Sequence, residues 1–259
     1  MTAGGWRWLW RGDLPAGAVA VDFDPAPPAV PEALAAEADA LWRGRRAGPD
    51  APLLFDGELA QLRGWRAVAG ALHLDLGRTR YRFWLACAGR RDEIEARFGP
   101  GAASRPLAFC AAVATADGRL AVLERSARVA EGAGLLHVPG GHLEPDRHRS
   151  AGRLDPRAGM LAELHEELSL APADLDAGRL LGLGESGMGK PELLFAFRCR
   201  LDGEALRARA AHARDAFEHA ALRLAPGSGP ALADWAAARA SRLAEPSRAL
   251  VERLLAAGA

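Results

Sequence analysis

Residues 138 to 168 constrain this chain more than any other stretch: Val138-Pro139-Gly140-Gly141-His142-Leu143-Glu144, a polar loop, then Met160-Leu161-Ala162-Glu163-Leu164-His165-Glu166-Glu167-Leu168. At about 3.6 residues per turn, Glu163, Glu166 and Glu167 stand at i, i+3 and i+4 and converge on one face of a helix. Leu161, Leu164 and Leu168, at i, i+3 and i+7, give that helix an apolar face to bury. Asp155-Pro156 reads as an N-cap followed by proline at the first helical position, so the helix begins near Pro156. Like charges so placed repel by roughly a few tenths of a kcal/mol per pair, His165 points elsewhere, and few cations lie at helical spacing. A hard divalent cation resolves the repulsion, because Mg2+ takes carboxylate oxygens and keeps the rest of its octahedron for water and phosphates. Taken alone, a glutamate-rich helix is more often a solvated face. The glycine pair shifts that balance: Gly140 and Gly141 permit backbone conformations closed to other residues, and they let main chain approach a ligand or a neighbouring helix closely.

The run Val138-Pro139-Gly140-Gly141-His142-x-Glu144, followed by Ala162-Glu163-Leu164-x-Glu166-Glu167-x-Ser169-Leu170, resembles the Nudix box. That family's pattern is Gly-x5-Glu-x7-Arg-Glu-hydrophobic-x-Glu-Glu-x-Gly-hydrophobic. Here Ala162 replaces the box arginine, Ser169 replaces its glycine, and the stretch between Gly141 and Glu163 is about seven residues longer, so the first box glutamate has no clear counterpart. A narrower resemblance covers about residues 53 to 201. Leu54-Phe55-Asp56, Thr79-x-Tyr81-Arg82, Ala112-Val113-Ala114-Thr115-Ala116-Asp117, Arg125-Ser126-x-x-Val129-Ala130-Glu131 and Gly134-Leu135 resemble the branch of the family that splits UDP-glucose and UDP-galactose. That branch also has a stretched box without the arginine and glycine.

The resemblance implies Mg2+-dependent hydrolysis of a small-molecule nucleotide sugar to UMP and a sugar 1-phosphate, with Mn2+ as a possible substitute ion. It implies Glu163 and Glu167 as metal ligands and Glu166 as an acidic position between them, all three catalytic. Phe55, Tyr81, Arg125, Ala130, His137, His142 and Glu144 match substrate-contacting positions. The match at His137 is by position only, because the branch has an acidic residue there. The residue chemistry agrees with these roles. Phe55 or Tyr81 can stack on a uracil face, Arg125 offers a planar fork of donors to phosphate, and His142 and Glu144 can hydrogen-bond ribose, sugar or phosphate. A core position for Phe55 and a surface salt bridge for Arg125 are the ordinary alternatives. The general base stays open between Glu166 and Glu167, with Glu218 in Ala216-Phe217-Glu218-His219 a more distal candidate. So does the choice against another Nudix substrate, such as ADP-ribose, or a non-catalytic nucleotide sensor.

Strands and helices mix along the chain, an α/β pattern. The resemblance implies the Nudix α/β/α sandwich with a mixed sheet over residues 105–259. Residues 1–104 are then a smaller α+β amino-terminal subdomain that contributes Phe55 and Tyr81 to a pocket between subdomains. Trp6, Trp8 and Trp10 alternate as in a half-buried strand. Helices are expected near 31–45, 91–98, 203–212 and 231–255, and strands near 53–55, 62–76, 107–115, 120–125, 180–183 and 193–199. Glu192 either starts a strand or reaches substrate. Arg147, His148, Arg149 and Arg153 lie in the polar loop 145–157, where arginines are usually solvated. The 259 residues carry a formal net charge of zero, which removes a global electrostatic argument for nucleic acid or an anionic membrane. No stretch is long and apolar enough to span a bilayer. Cys87, Cys110 and Cys199 lack ligand spacing and read as reduced, buried thiols of a cytoplasmic protein.

Overall fold

The alternating tryptophans form a strand that pairs with chain far away in sequence, Arg7 lying opposite Glu185 and Leu14 opposite Leu180. The structure, a computed structural model, describes residues 5–48, 54–127 and 132–257. Its elements in chain order are β1 (Arg7–Pro15), β2 (Val19–Phe23), α1 (Glu32–Arg46), β3 (Glu58–Val68), β4 (Ala71–Arg80), α2 (Tyr81–Cys87) and α3 (Arg91–Phe98). Then come β5 (Ala108–Ala114), β6 (Arg119–Arg125), β7 (Leu136–His137), β8 (Gly140–His142), β9 (Arg149–Ser150), β10 (Arg153–Leu154) and α4 (Pro156–Leu168). The chain continues through β11 (Arg179–Glu185), β12 (Pro191–Arg198), α5 (Gly203–Ala210), β13 (His219–Pro226), α6 (Gly229–Ala237) and α7 (Glu245–Ala257).

The large sheet runs β1-β11-β12-β5-β6-β13, with β8 added to β5 and β7 to β6. Its β12–β5 pair is parallel and the others are antiparallel, so the sheet is mixed. Alternation along β5 sends successive side chains to opposite faces. Phe109, Ala111 and Val113 meet Met160, Leu164 and Leu168 of α4 and Leu206 of α5, while Cys110 and Ala112 meet Leu232 of α6 and Ala249, Leu250 and Val251 of α7. Helices thus cover both faces, giving the expected α/β/α sandwich. Leu164 and Leu168 are fully buried, each worth about 1.5–3 kcal/mol.

A second sheet, β2-β4-β3, lays Ala60, Leu62, Leu72, Leu74 and Leu76 into the same core as α4. It is stitched to the large sheet where the Ala60 N–H donates to the Leu143 carbonyl at 2.8 Å and the Leu107 N–H to Ala60 at 2.8 Å. The helices α1 to α3 close a core of their own around Leu34, Phe83 and Ile94. A cavity of about 20 Å³ there, lined by Thr79, Phe83, Cys87 and Ser104 among others, is too small for a nucleotide. Cys87, Cys110 and Cys199 are buried and free, and among the described residues no helix is long and apolar enough to cross a membrane.

Several local expectations change, and Leu54 and Phe55, expected in a strand near 53–55, lie outside any strand. The stretch expected as a strand over 62–76 is part of a hairpin, because Ala69 and Gly70, both with positive φ (48° and 80°), turn β3 back into β4. The helix expected over 231–255 breaks into α6 and α7. Between them the chain turns extended: the Leu136 N–H donates to the Arg242 carbonyl at 2.7 Å and the Ala244 N–H to the Leu136 carbonyl at 2.9 Å. Strand β13, where no strand is expected, is held to β6 over seven paired positions.

Ser169, which occupies the glycine position of the box, caps α4 at φ 54°, ψ 32°. An L-residue in that left-handed conformation costs roughly 1–2 kcal/mol, against roughly 0.5–1 kcal/mol of extra chain entropy for glycine. Ser169→Gly is therefore expected to raise the thermal midpoint by a few degrees, about 0.5–1 kcal/mol, in a calorimetric melt. An unchanged or lower midpoint speaks against this account of the cap.

Candidate functional site

Helix α4 is placed by its ends and by one small residue. The Asp155 side chain accepts the Arg157 N–H at 2.9 Å, as an N-cap does. At Gly159 a Cβ would lie 2.8 Å from the Phe109 ring and 3.0 Å from His148, so only glycine lets the helix press this close to β5. That approach lays the glutamate face over strand β8. At Gly141 a Cβ would sit 2.2 Å from Glu163 Oε1, and at Gly140 it would sit 2.4 Å from the Phe109 carbonyl oxygen. Neither glycine has a positive φ. The expectation of special backbone conformations therefore gives way to the other role proposed for the pair, close approach: a bare backbone lets carboxylates lie against it.

The three glutamates end in different surroundings. Glu167 is buried, with its side chain 5 % exposed. It accepts the Gly140 N–H on Oε2 at 3.0 Å, and its Oε1 lies 3.1 Å from His219 Nε2. Burial pushes its carboxyl up to about 8, against the Gly140 bond that favours the anion. Glu163 is half-buried, and burial, then the charges of Glu167, Glu166 and Glu144, push it up to about 8 as well. Glu166 instead binds the Arg147 guanidinium at 2.7 Å and the Arg214 guanidinium at 2.6 Å, one on each oxygen. Arg147 also reaches Glu144 at 2.8 Å. The cationic partners that helical spacing lacks thus come from a loop and from the segment before β13.

Around this face the structure gathers further polar groups. Burial first, then the charges of Arg125 and His219, hold His137 well below the usual imidazole range. Its Nδ1 donates to the Val138 carbonyl at 2.9 Å, and its ring lies 5.3 Å from that of His219. Burial also lowers His219, to about 4, with Glu218 opposing. Its contact with Glu167, whose carboxyl is itself raised to about 8, is therefore one between a neutral ring and a carboxyl group rather than an ion pair. The charge of Glu218 acts on both Glu167 and His219, which brings that distal candidate to the helix face. One donor atom each from His137, Glu167 and His219 lie within 4.8 Å of one another, a set that can hold a metal ion.

The residues expected to contact substrate fall in two groups. His142, lowered to about 3 by burial and then by Lys190 and Arg125, stands with its ring 6.2 Å from Trp84. Trp84 lies 5.4 Å from Tyr81, and Tyr81 lies 6.1 Å from Trp42, so an aromatic row leads from the glycine strand into α2 and α1. The Leu54-Phe55-Asp56 run docks beside it: Asp56 accepts the Arg82 N–H at 3.0 Å and pairs with Arg80 and Arg82 at 2.8 and 2.9 Å. Phe55 is 81 % exposed, which excludes a core role for its ring. Ala130 lies outside the described residues. Glu192 is a buried residue of β12, its carboxyl raised by burial. Of the loop residues, Arg147 reaches the glutamates, while His148 is buried with its Nδ1 accepting the Glu144 N–H at 3.0 Å.

Four residues of this neighbourhood had no sequence signal strong enough to single them out: Trp84, Lys190, Arg214 and His219. Lys190, whose ammonium stands 5.7 Å from the Trp84 ring centroid, is the chain's one lysine. That rarity was the only clue to it.

No family model matches the chain. The sequence is similar to the uridine diphosphate glucose pyrophosphatase NUDT22 of Mus musculus, 32% identical over 65% of this chain and 62% of the relative. It is 33% identical to the protein of the same name from Homo sapiens, over 76% of this chain and 73% of the relative. The chain thus spans less than two thirds of the mouse relative's length. Among solved structures, a Nudix hydrolase from Nitrosomonas europaea is similar at 16% identity and a TM-score of 0.40, over 60% of this chain and 90% of that one. DR0079 from Deinococcus radiodurans is similar at 18% identity and a TM-score of 0.40, over 58% and 83%.

Proposed function

This chain belongs to the Nudix family, in the branch of the uridine diphosphate glucose pyrophosphatases, and from that premise we propose that it hydrolyses the diphosphate of UDP-glucose and UDP-galactose to UMP and the sugar 1-phosphate. The observation that carries the proposal is the pair of carboxylates, Glu163 and Glu167, laid against the bare backbone of Gly140 and Gly141. Both are held up to about 8 by burial, the state of acids that lack a counter-ion. They fit a divalent cation; Mg2+, with Mn2+ as a substitute, is the ion that the Nudix resemblance implies. When bound, the ion neutralises the diphosphate and polarises a phosphoryl oxygen.

The chain's own residues do the rest. Glu166, fixed by Arg147 and Arg214, keeps a third carboxylate on the face. Arg147 and Lys190 would offer positive charge to a bound phosphate, and the charges of Lys190 and Arg125 both act on His142 and His137. Phe55 and Tyr81 offer faces for uracil; His142 and Glu144, beside the glycine strand, offer polar contacts to ribose or sugar. A water that attacks one phosphorus would pass a proton to a carboxylate of the α4 face, Glu166 or Glu167, as the bond from that phosphorus to the bridging oxygen breaks and that oxygen leaves with the departing phosphate. In this reading residues 1–104 supply the aromatic wall and residues 105–259 the metal face. The three buried free thiols support a reducing compartment, and we place the activity in the cytoplasm.

The test is release of phosphate in the presence of Mg2+ and a coupled phosphatase, with UDP-glucose, UDP-galactose, ADP-glucose, ADP-ribose and nucleoside triphosphates as substrates. Turnover of the two UDP-sugars well above the rest is expected. Preference for adenine nucleotides refutes the uridine assignment, and thermal stabilisation by a nucleotide without turnover refutes hydrolysis. Phe55→Ala is expected to raise KM about 5- to 100-fold, the size of one lost base–aromatic stack, with kcat nearly unchanged. Its thermal midpoint should not move, because the ring is exposed. An unchanged KM removes Phe55 from the site.

A further inference from the structure

We infer that His137 and His219 join Glu167 in a nitrogen-rich metal centre that prefers a borderline transition cation of the Zn2+ and Co2+ type over Mg2+. This rests on the reading of Glu167 as a metal ligand and goes beyond it, because two imidazoles change which ion the centre selects. One donor atom from each of the three residues lies within 4.8 Å of the others.

The histidine ring nitrogens are prepared for such a bond. His137 is 8 % exposed. Its Nδ1 faces the Val138 carbonyl at 2.9 Å, and because a carbonyl only accepts, that nitrogen carries the proton. The lone pair is then on Nε2, which is buried without a hydrogen-bond partner. A backbone carbonyl on one ring nitrogen and an ion on the other is the usual way a ligating histidine is oriented. Both ring nitrogens of His219 are buried without a hydrogen bond of acceptable geometry, although Nε2 lies 3.1 Å from Glu167 Oε1. For metal–ligand bonds of about 2.0–2.1 Å, neighbouring ligands of a tetrahedral ion stand about 3.3 Å apart. His219 and Glu167, 3.1 Å apart, already have close to that separation, and His137, within 4.8 Å of both, closes the set with a shift of up to about 1.5 Å.

Ligand chemistry decides between ions. Mg2+ takes oxygen ligands and gives up water reluctantly, whereas imidazole suits zinc and its neighbours, whose affinities for such sites rise along the series from Mn2+ to Cu2+. The local charge suits a dication: the anionic groups of Glu218 and Asp215 act on Glu167, with Arg125 the opposing cation.

The experiment uses the full chain after treatment with a chelator. Thermal midpoints are measured with Mg2+, Co2+ and Zn2+ across a concentration series, and Co2+ binding is followed by its visible absorption, for the wild type, His219→Gln and His137→Asp. Zn2+ and Co2+ are expected to stabilise the wild type at concentrations at least about 100-fold below those needed for Mg2+. One Co2+ should bind per chain, with the intense bands of a low-coordinate site. His219→Gln should weaken Co2+ binding about 10- to 100-fold and change the Mg2+ response far less, because Mg2+ takes oxygen ligands. His137→Asp, which replaces nitrogen by oxygen, should narrow the gap between Mg2+ and Zn2+. Melts of the metal-free variants verify that each is folded, and should a variant not fold, the wild-type ion series and Co2+ spectrum decide alone. Equal stabilisation by Mg2+ and Zn2+, or an octahedral Co2+ spectrum, overturns the inference. None of these readouts uses hydrolysis, so a chain that selects Zn2+ but leaves UDP-sugars intact refutes the substrate proposal and not this one.

Discussion

Glu167→Gln is expected to lower UDP-sugar turnover by about 10³-fold or more while leaving the protein folded. The side chain is buried between the Gly140 N–H on Oε2 and His219 Nε2 beside Oε1. A glutamine fits that space: its carbonyl oxygen accepts the Gly140 N–H, and its amide group turns toward the unpartnered nitrogen of His219. What it cannot supply is negative charge toward a cation. The metal-free variant should melt no lower than the metal-free wild type near pH 8, because a neutral amide avoids the cost of burying an anion. A coupled phosphatase assay and a calorimetric melt measure the two halves. A variant with near wild-type turnover would falsify the role given to Glu167, and a collapsed melt would show that the residue chiefly holds the fold.

Raising pH is expected to destabilise the protein when divalent ions are removed, and adding them back should reverse the loss. Glu163 and Glu167 both have carboxyls raised to about 8 in the folded chain by burial, from an ordinary carboxyl range near 4.5. Below about pH 4.5 both states are protonated at these positions, and the two groups take nothing from stability. Between that pH and about 8 the unfolded chain releases the protons while the folded chain retains them, so stability falls steadily with pH. Even one pKa unit for each carboxyl amounts to about 2.7 kcal/mol, roughly 5–10 °C in the midpoint of a chain this long. A bound dication replaces the protons, so its stabilisation should be larger at pH 8 than at pH 5. Melts in chelator and in added metal, from pH 5 to 8, test this. A metal-free midpoint that rises over that range contradicts the burial of these acids.

Some of the site is local and was legible in the residues. Asp155-Pro156 marks the start of α4 because an N-cap and a first-turn proline act within a few residues. The leucine face and the glutamate face follow from helical periodicity, and both are found as the spacing predicts. Ser169 caps the helix where the family pattern has glycine, and its left-handed backbone explains that preference. The glycine pair was read correctly as a place of close approach, but the conformational freedom also ascribed to it is not used.

The remainder depends on chain that meets only in space. Arg214 and His219 stand about fifty residues beyond Glu166 and Glu167, with no spacing that ties them to the helix. They arrive because β13 pairs with β6 and carries the preceding segment to the end of α4. Trp84 is one of seven tryptophans, and only the docking of α2 against the glycine strand sets it beside His142 and Lys190. The expected helix over 231–255 fails for a related reason: its middle surrenders helical bonds to those offered by Leu136.

The sequence by itself determined which faces of α4 are charged and apolar, where that helix starts, and that a metal-assisted hydrolase of the Nudix kind is the reading its motif supports. Periodicity and capping are properties of neighbours along the chain, so residues a few positions apart carry them in full. The tertiary structure alone decided how the charges are shared: Glu166 compensated by two arginines, Glu163 half-buried and Glu167 buried, and two histidines added to the second of these. Burial and long-range pairing set those differences, because the free energy of a carboxylate depends on the water it has lost and the charges that replace it.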